Sequence, residues 1–433
     1  MRKLLTFAAL CSAILFTVSL HCFAAGNPPL GSNSNKPISP ASWSFQCQYG
    51  HVCGTTGQWI TTTSQPGAVR LWDAGISWSI LQPSPSTYDW TNLDTWLDLI
   101  AEHQPTTAMF TFGHVPCWAT NGQQCSNYGW DNWSSNPPTD LTASGSHSFN
   151  TFITQMVSHC SPAGHCVKNY IKYWEGWNEA NLPHYWSGTQ LQLYQLTKPA
   201  IAIIRNAISG AITSTPPVCG GNVPWMTSWM QLENSNGRIS DYYGFHVYLR
   251  DLTPETRINM VGRMVDVKNN NGWSTAPWMN TETNFVNATD ECSSQYTTAD
   301  CRGQLVRWHV LQYAYQGGAG GAFLVGWYNW PTIYSGIDYD PYYYTMMQWL
   351  VGGTFTVSCS TTQKNGTLWT CPFTEKNGTS ALIVWNTSGN VQYTPASQYV
   401  DYKEMNGTYG GTTVNISPGQ KTTVGLIPVM FEN

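Results

Sequence analysis

The chain has 433 residues, of which only 10% are Asp, Glu, Lys or Arg, while 22 Trp, 23 Tyr and 14 Phe make it 14% aromatic. Disordered chains have the opposite composition, and a net charge of −5 with no Lys/Arg run argues against an extended nucleic-acid surface. A surface drawn from Trp, Tyr, Ser, Thr, Asn and Gly suits a neutral polar ligand, and carbohydrate is the foremost candidate.

In chain order, Arg2 and Lys3 precede an apolar stretch over 4–20, and small residues follow at Ala24, Ala25 and Gly26. This pattern predicts a secretory signal peptide over 1–25. No later segment is apolar enough to span a membrane, so the mature protein is expected outside the cell or in the periplasm, with no membrane contact. Residues 26–42, rich in Pro, Asn and Ser, read as a linker.

From residue 43, short apolar or aromatic runs alternate with longer segments. Strands are predicted at 43–49, 68–72, 107–112, 171–177, 217–221, 242–247, 277–281 and 321–325. Helical spacing lies between several of them, as in Leu93-Trp96-Leu97-Ile100, Phe149-Phe152-Ile153-Met156, Leu193-Leu196-Ala200-Ile203-Ile204 and Leu305-Trp308-Leu311-Tyr315. Eight strand–helix alternations predict an α/β fold with a parallel sheet closed as a (β/α)8 TIM barrel over 43–351. No G-x-G-x-x-G follows the first strand, which weakens a dinucleotide-binding alternative. After residue 352, strands at 354–358, 368–373, 380–385, 398–402 and 421–428, separated by Gly, Asn and Thr turns, predict a small antiparallel β-sandwich over 352–433.

Ten of the 13 Cys form close pairs: Cys47 with Cys53, Cys117 with Cys125, Cys160 with Cys166, Cys292 with Cys301 and Cys359 with Cys371. In an oxidising compartment these read as five local disulfides. Cys11 and Cys22 fall in the leader, and Cys219 reads as a buried free thiol. No Cys or His cluster has metal-ligand spacing, so neither a metal nor another cofactor is expected.

Two carboxylates stand out. Glu179 closes Trp174-Glu175-Gly176-Trp177-Asn178-Glu179 at the end of the fourth strand, and Glu282 closes Trp278-Met279-Asn280-Thr281-Glu282 at the end of the seventh. In such a barrel the functional groups sit at the C-terminal strand ends. Carboxylates facing each other there are the machinery of glycoside hydrolysis.

Trp177-Asn178-Glu179, the Glu ending the seventh strand and His246-Val247-Tyr248 on the sixth resemble the retaining β-glycosidases of clan GH-A. Arg70-Leu71-Trp72-Asp73 with Trp78, and Phe112-Gly113-His114-Val115-Pro116-Cys117-Trp118-Ala119, are similar to family 39 in particular. The resemblance implies that Glu282 is the nucleophile, with Arg70 and Tyr248 as its stabilising donors, and that Glu179 is the acid/base against an apolar wall of Trp177 and Trp186. It further implies that Asn178 holds the sugar 2-hydroxyl and that His114 and His246 orient hydroxyls or the acid/base. Trp327 would floor the subsite of the cleaved sugar, with Trp72, Trp118 and Tyr328 as further platforms. Glu175 reads as structural, paired with Arg or His. The expected partner is a neutral poly- or oligosaccharide, cleaved internally. A transglycosylase on the same scaffold, or a non-catalytic carbohydrate-binding protein, are the alternatives. The β-sandwich reads as a structural accessory, and oligomeric state leaves no signal.

Overall fold

The structure, a computed structural model, describes residues 37–39, 44–46, 67–123, 125–127, 132–250, 252–285, 292, 295–315, 320–328, 340–355 and 357–433. The expected leader lies outside the described residues.

The chain is mixed α/β. Eight parallel strands form one sheet: β1 (Ser44–Gln46), β2 (Ala68–Leu71), β3 (Thr107–Thr111), β4 (Ile171–Glu175), β5 (Ile212–Thr213), β6 (Tyr243–His246), β7 (Trp278–Thr283) and β8 (Ala322–Trp327). Their order is β5-β4-β3-β2-β1-β8-β7-β6. Backbone hydrogen bonds from Tyr242 N to Thr213 O and from Thr215 N to Tyr242 O, each 3.0 Å, join the two end strands. Each strand from β2 onward leads into a helix: α1 (Thr91–Glu102), α2 (His147–Ser158), α3 (Gln190–Ala207), α4 (Val223–Asn236), α5 (Pro254–Asn270), α6 (Thr298–Ala314) and α7 (Asp340–Leu350). The helices bury the periodic residues read from the sequence. In α3, for example, Leu193, Leu196, Ala200 and Ile204 are buried behind a Thr189–Gln192 capping box.

The two-residue period of the strands sorts side chains into layers. Val69, Ala108, Trp174 and Val325 join the main core with the helices. Ala68, Met109, Met279 and Leu324 form a separate small core with Tyr173, Tyr242 and Phe323. Two residues further along β2, β3, β4 and β7 this apolar plug gives way to Arg70, Thr111, Glu175 and Thr281, all buried. A polar layer therefore sits directly beneath the C-terminal strand ends.

The fifth strand lies at Ile212–Thr213 rather than 217–221. Pro216 and Pro217 have no N–H to give a ladder, so that stretch becomes a loop whose Val218 carbonyl accepts from His246 N. The sixth to eighth strands agree in place, and β7 and β8 run on to Thr283 and Trp327.

The C-terminal strands are β9 (Ser360–Gln363), β10 (Thr367–Thr374), β11 (Ser380–Asn386), β12 (Val391–Tyr393), β13 (Asp401–Glu404), β14 (Thr412–Asn415), β15 (Thr422–Val424) and β16 (Val429–Glu432). Six make an antiparallel sheet in the order β9-β10-β11-β16-β13-β14, and β12 pairs with β15. Three expectations shift. Among the described residues of 354–358, the pairing is the bridge Thr354–Thr374. The 398–402 strand runs instead from Asp401 to Glu404. The 421–428 run divides into β15 and β16 around Pro428.

The six-stranded sheet is apolar on both faces. Leu368, Leu382, Val384, Val429 and Phe431 pack on Val391 and Val424 of the two-stranded sheet. Trp369, Phe373, Ile383, Trp385 and Met430 belong to the main core. Every residue of α6 from Gly303 to Ala314 is buried. A Cβ at Gly303 would lie 2.2 Å from the Leu426 carbonyl oxygen, so this close contact requires glycine. Arg307, 1% exposed, pairs with Asp300 at 2.7 Å and Glu255 at 3.5 Å. Trp385 donates its indole N–H to the same Glu255 at 2.8 Å. Within the expected linker, Ile38 is buried and exchanges backbone hydrogen bonds with Gly352 and Gly353.

Four of the five expected local disulfides are formed: Cys117–Cys125, Cys160–Cys166, Cys292–Cys301 and Cys359–Cys371. The fifth expected bond, between Cys47 and Cys53, is not among them, because Cys47 and Cys53 both lie outside the described residues. Cys219 is also disulfide-bonded, which corrects its reading as a free thiol. Local spacing missed it because no other cysteine lies nearby in sequence. Among the described residues no helix is long and apolar enough to cross a membrane.

Candidate active site

The polar layer is organised around Arg70 at the end of β2. Its Nε and Nη2 donate to Glu175 Oε2 at 2.8 and 2.6 Å, its Nη1 to Glu282 Oε2 at 2.7 Å, and Nη2 also to Asn178 Oδ1 at 2.7 Å. Only a guanidinium presents donors on three sides in one plane. Glu282 Oε1 accepts a short hydrogen bond from the Tyr248 hydroxyl. Glu179 Oε1 meets His246 Nδ1 at 2.8 Å, and His246 Nε2 lies 3.1 Å from Thr281 Oγ1 and 3.5 Å from Arg70 Nη2. One oxygen of Glu179, one nitrogen of His246 and one oxygen of Glu282 all lie within 4.8 Å of one another.

The backbone after β4 is shaped to deliver Glu179. A Cβ at Gly176 would sit 2.5 Å from Pro216 N, so only glycine lets the loops pass. Asn178 N donates to Phe112 O at 2.9 Å. The Asn181 amide then clamps the backbone of Cys219, accepting from its N at 2.9 Å and donating to its O at 3.4 Å. Glu179 itself has φ +42°, and Asp73, His114 and Arg250, each just beyond a strand end, have φ between +56° and +59°. Such non-glycine left-handed residues cost of order 1–3 kcal/mol each and cluster at functional sites.

Burial governs the protonation of this cluster. Glu179 is held well above the ordinary carboxyl range, first by burial and then by the charge of Glu282. Burial also raises Glu282, but Arg70 and the Tyr248 hydroxyl oppose it. The pair therefore shares its charge unequally, with the proton on Glu179 and the charge on Glu282. Burial and the neighbouring Arg70 depress His246 far below its usual range, so it is neutral. Arg70 has no acceptor, so the Nε2 facing it is the bare nitrogen and Nδ1–H donates to Glu179. Burial raises Tyr248 and keeps it a donor, and the charges of Glu282 and Glu179 add to this.

The three groups within 4.8 Å are also those a metal ion would use. Here Arg70 already places a cation on Glu282, and His246 Nδ1 is engaged by Glu179. A divalent ion would have to enter against the guanidinium, so the donor set suits a proton better than a metal.

The structure brings together Arg70, Asn178, Glu179, His246, Tyr248 and Glu282 from the sequence reading. His114 and Trp72 belong instead to an aromatic wall. His114 stacks on Trp133 at 4.2 Å and meets the edge of Trp72 at 4.9 Å. Gly113 makes room for that Trp, since a Cβ there would lie 2.5 Å from its ring. Tyr328 reaches Asp73 Oδ2 at 3.4 Å and lies 6.3 Å from the Tyr248 ring. Trp327 is buried against Phe285 and His309. The indole of Trp118 donates to Gln82 O beside Trp78. Trp177 is buried edge-on to Trp186. Sequence reasoning missed Tyr185, whose hydroxyl burial and the charges of Glu179 and Asp73 hold protonated. It also missed Trp133, Thr281 and Asn181. For Tyr185 and Asn181 the one available signal was position within six residues of Glu179.

No family model matches the chain, and no curated protein matches it in sequence. Solved structures do match in shape. A conserved exported protein from Bacteroides fragilis superposes with a TM-score of 0.60 at 11% identity, covering 92% of this chain and 98% of its own. A monomeric beta-xylosidase from Caulobacter crescentus gives 0.57 at 13%, covering 92% and 97%. The catalytic domain of family 30 xylanase C from Talaromyces cellulolyticus gives 0.56 at 10%, covering 92% and 98%. The chain shares the fold of these structures. At such identities the likeness is one of architecture, and the chemistry rests on the side chains just described.

Proposed function

We propose that this chain is a secreted, retaining β-glycoside hydrolase of the GH-A type. In this reading residues 43–351 form a (β/α)8 barrel, its ring closed by the bonds between β5 and β6, and 352–433 a packed β-sandwich accessory. The observation that carries the reading is the meeting of two buried carboxyls, Glu179 and Glu282, with oxygens no more than 4.8 Å apart. Retaining enzymes hold their carboxyls about 5–5.5 Å apart and inverting ones about 6.5–9.5 Å, so the spacing supports retention. Exported location is supported by the disulfides. The narrower tie to family 39 rests on the segments 70–73 and 112–119.

Glu282, charged and held by Arg70 and Tyr248, attacks the anomeric carbon. Glu179 gives its proton to the departing glycosidic oxygen. Once Glu282 is an ester its charge is gone, so Glu179 loses the like charge that raised its proton affinity and can act as base. Water then attacks the glycosyl-enzyme and gives its proton to Glu179, and Glu282 leaves as the carboxylate. Neutral His246 keeps Glu179 Oε1 hydrogen-bonded and so orients the carboxyl. Asn178, its oxygen on Arg70, turns its NH2 toward the sugar 2-hydroxyl. The aromatic-rich, charge-poor composition supports a neutral glycan and endo-action.

The test is hydrolysis of a panel of neutral polysaccharides and aryl β-glycosides, followed by proton NMR of the first product. The β-anomer is expected to appear first, and an initial α-anomer would overturn retention. Products longer than the substrate, formed with added sugar acceptor, would favour the transglycosylase reading. Glu179→Ala is expected to lose about 10³-fold in kcat/KM on poor leaving groups. Dinitrophenyl glycosides need no acid, so their first step is expected to stay near wild type. The high-pH limb of the rate profile, which reports loss of the Glu179 proton, is expected to disappear in this variant.

A further inference from the structure

Glu175 has no part in the chemistry derived above, yet it is the most completely buried charge in the site. Its side chain is 0% exposed and that of Arg70 3%. Three donors converge on Oε2: Arg70 Nε, Arg70 Nη2 and Thr111 Oγ1 at 2.8 Å. Oε1 is buried with no hydrogen-bond partner among the described residues. Burying a carboxylate with half its acceptors unused is costly, and an ion pair of this kind is a weak source of stability. Stability alone therefore accounts poorly for a carboxylate here.

We infer that Glu175 is a positioning residue: it grips the Nε–Nη2 edge of Arg70, aims the other edge at Glu282 and Asn178, and offsets the guanidinium charge between the two catalytic carboxyls. The inference rests on the proposed roles of Glu179 and Glu282. With Glu175 in place, one cation faces two carboxylates, Glu175 and Glu282, and Glu179 keeps its proton. Without it, the guanidinium would face Glu282 alone and be free to tilt away from Asn178. Its undiminished positive field would then favour ionisation of both catalytic carboxyls. The charge of Glu175 does act to raise the proton affinity of Glu179.

The sign of the effect follows. Removing a negative charge lowers the pH at which Glu179 loses its proton, so the high-pH limb of kcat/KM moves to lower pH. In Glu175→Gln, which keeps an oxygen for Arg70 and Thr111, that limb is expected to fall by about one pH unit. On poor leaving groups kcat is expected to fall on the order of tenfold, with little change for dinitrophenyl glycosides. Glu175→Asp, with a shorter reach to Arg70, is expected to move the limb the same way by a smaller step. It decides the matter alone if the Gln variant does not fold. A purely structural Glu175 would lower the melting temperature and leave the limb in place; an unmoved limb in either folded variant would overturn the inference. Carboxyl titration by carbon-13 NMR, with labelled Glu, reads the same shift without any substrate. If no glycan is cleaved but the titration still moves, the glycosidase reading fails and the positioning role stands. If cleavage is seen and neither limb nor titration moves, only the positioning role falls.

Discussion

Glu282→Gln is expected to reduce hydrolysis of every substrate by about 10⁴-fold or more, on the scale seen when a nucleophile is removed. The amide cannot form the glycosyl ester, whatever the leaving group, so dinitrophenyl glycosides are not spared. This separates Glu282 from Glu179. The variant is expected to fold, because the Gln oxygen still accepts from Arg70 Nη1 and its NH2 can donate to the Tyr248 hydroxyl oxygen. Circular dichroism and melting would check that point. The smaller Glu282→Gly, supplied with azide, is expected to recover turnover and yield an α-glycosyl azide. Azide would then enter from the face Glu282 vacates. A β-azide, or wild-type rates in Glu282→Gln, would remove Glu282 from the nucleophile's role.

Deletion of residues 352–433 is expected to leave an insoluble or unfolded chain rather than a smaller active enzyme. Trp369, Phe373, Ile383, Trp385 and Met430 are part of one continuous core with α6 and the parallel sheet. Side chains of that size contribute roughly 1.5–3 kcal/mol each when buried, so their loss alone is on the order of 10 kcal/mol. Whole domains are stable by only about 5–15 kcal/mol. The deletion would also leave Glu255 without the Trp385 N–H and open the buried Arg307 to water on one side. Limited proteolysis of the full chain checks the same point: the C-terminal sheet is expected not to be released as a stable fragment. A soluble, active 1–351 would show the sheet to be a dispensable accessory.

The alternation of strands and helices was legible in the sequence because it is local. Short apolar runs such as 68–72 and helical stripes such as Leu193-Leu196-Ala200 declare themselves within a dozen residues. Four of the cysteine pairs were legible for the same reason, each joining residues 6 to 12 positions apart. Glu179 and Glu282 were legible because a fold that gathers strand ends at one face turns sequence position into spatial position. Where local pattern misled, a local rule was overridden. The apolar run at 217–221 reads as a strand, but two prolines keep it off the ladder. Helix α6 has polar residues on every side, yet Gln304, Arg307, His309 and Gln312 are all buried: Gln312 accepts from Asn280 of β7 and His309 meets Trp327 of β8, while Arg307 shares Glu255 with Trp385 of the C-terminal sheet.

The sequence by itself thus determined which residues are candidates for the proposed chemistry and roughly which strand ends hold them. Only the tertiary structure decided what state they are in. Arg70 meets Glu282 across 212 residues of chain and Glu175 across 105, and no periodicity reports a contact that distant. The neutrality of His246, the proton on Glu179 and the charge on Glu282 all follow from burial and from which neighbour faces which atom. A proton's location depends on the electric field at that point in space, and that field is set only when the strand ends are brought together.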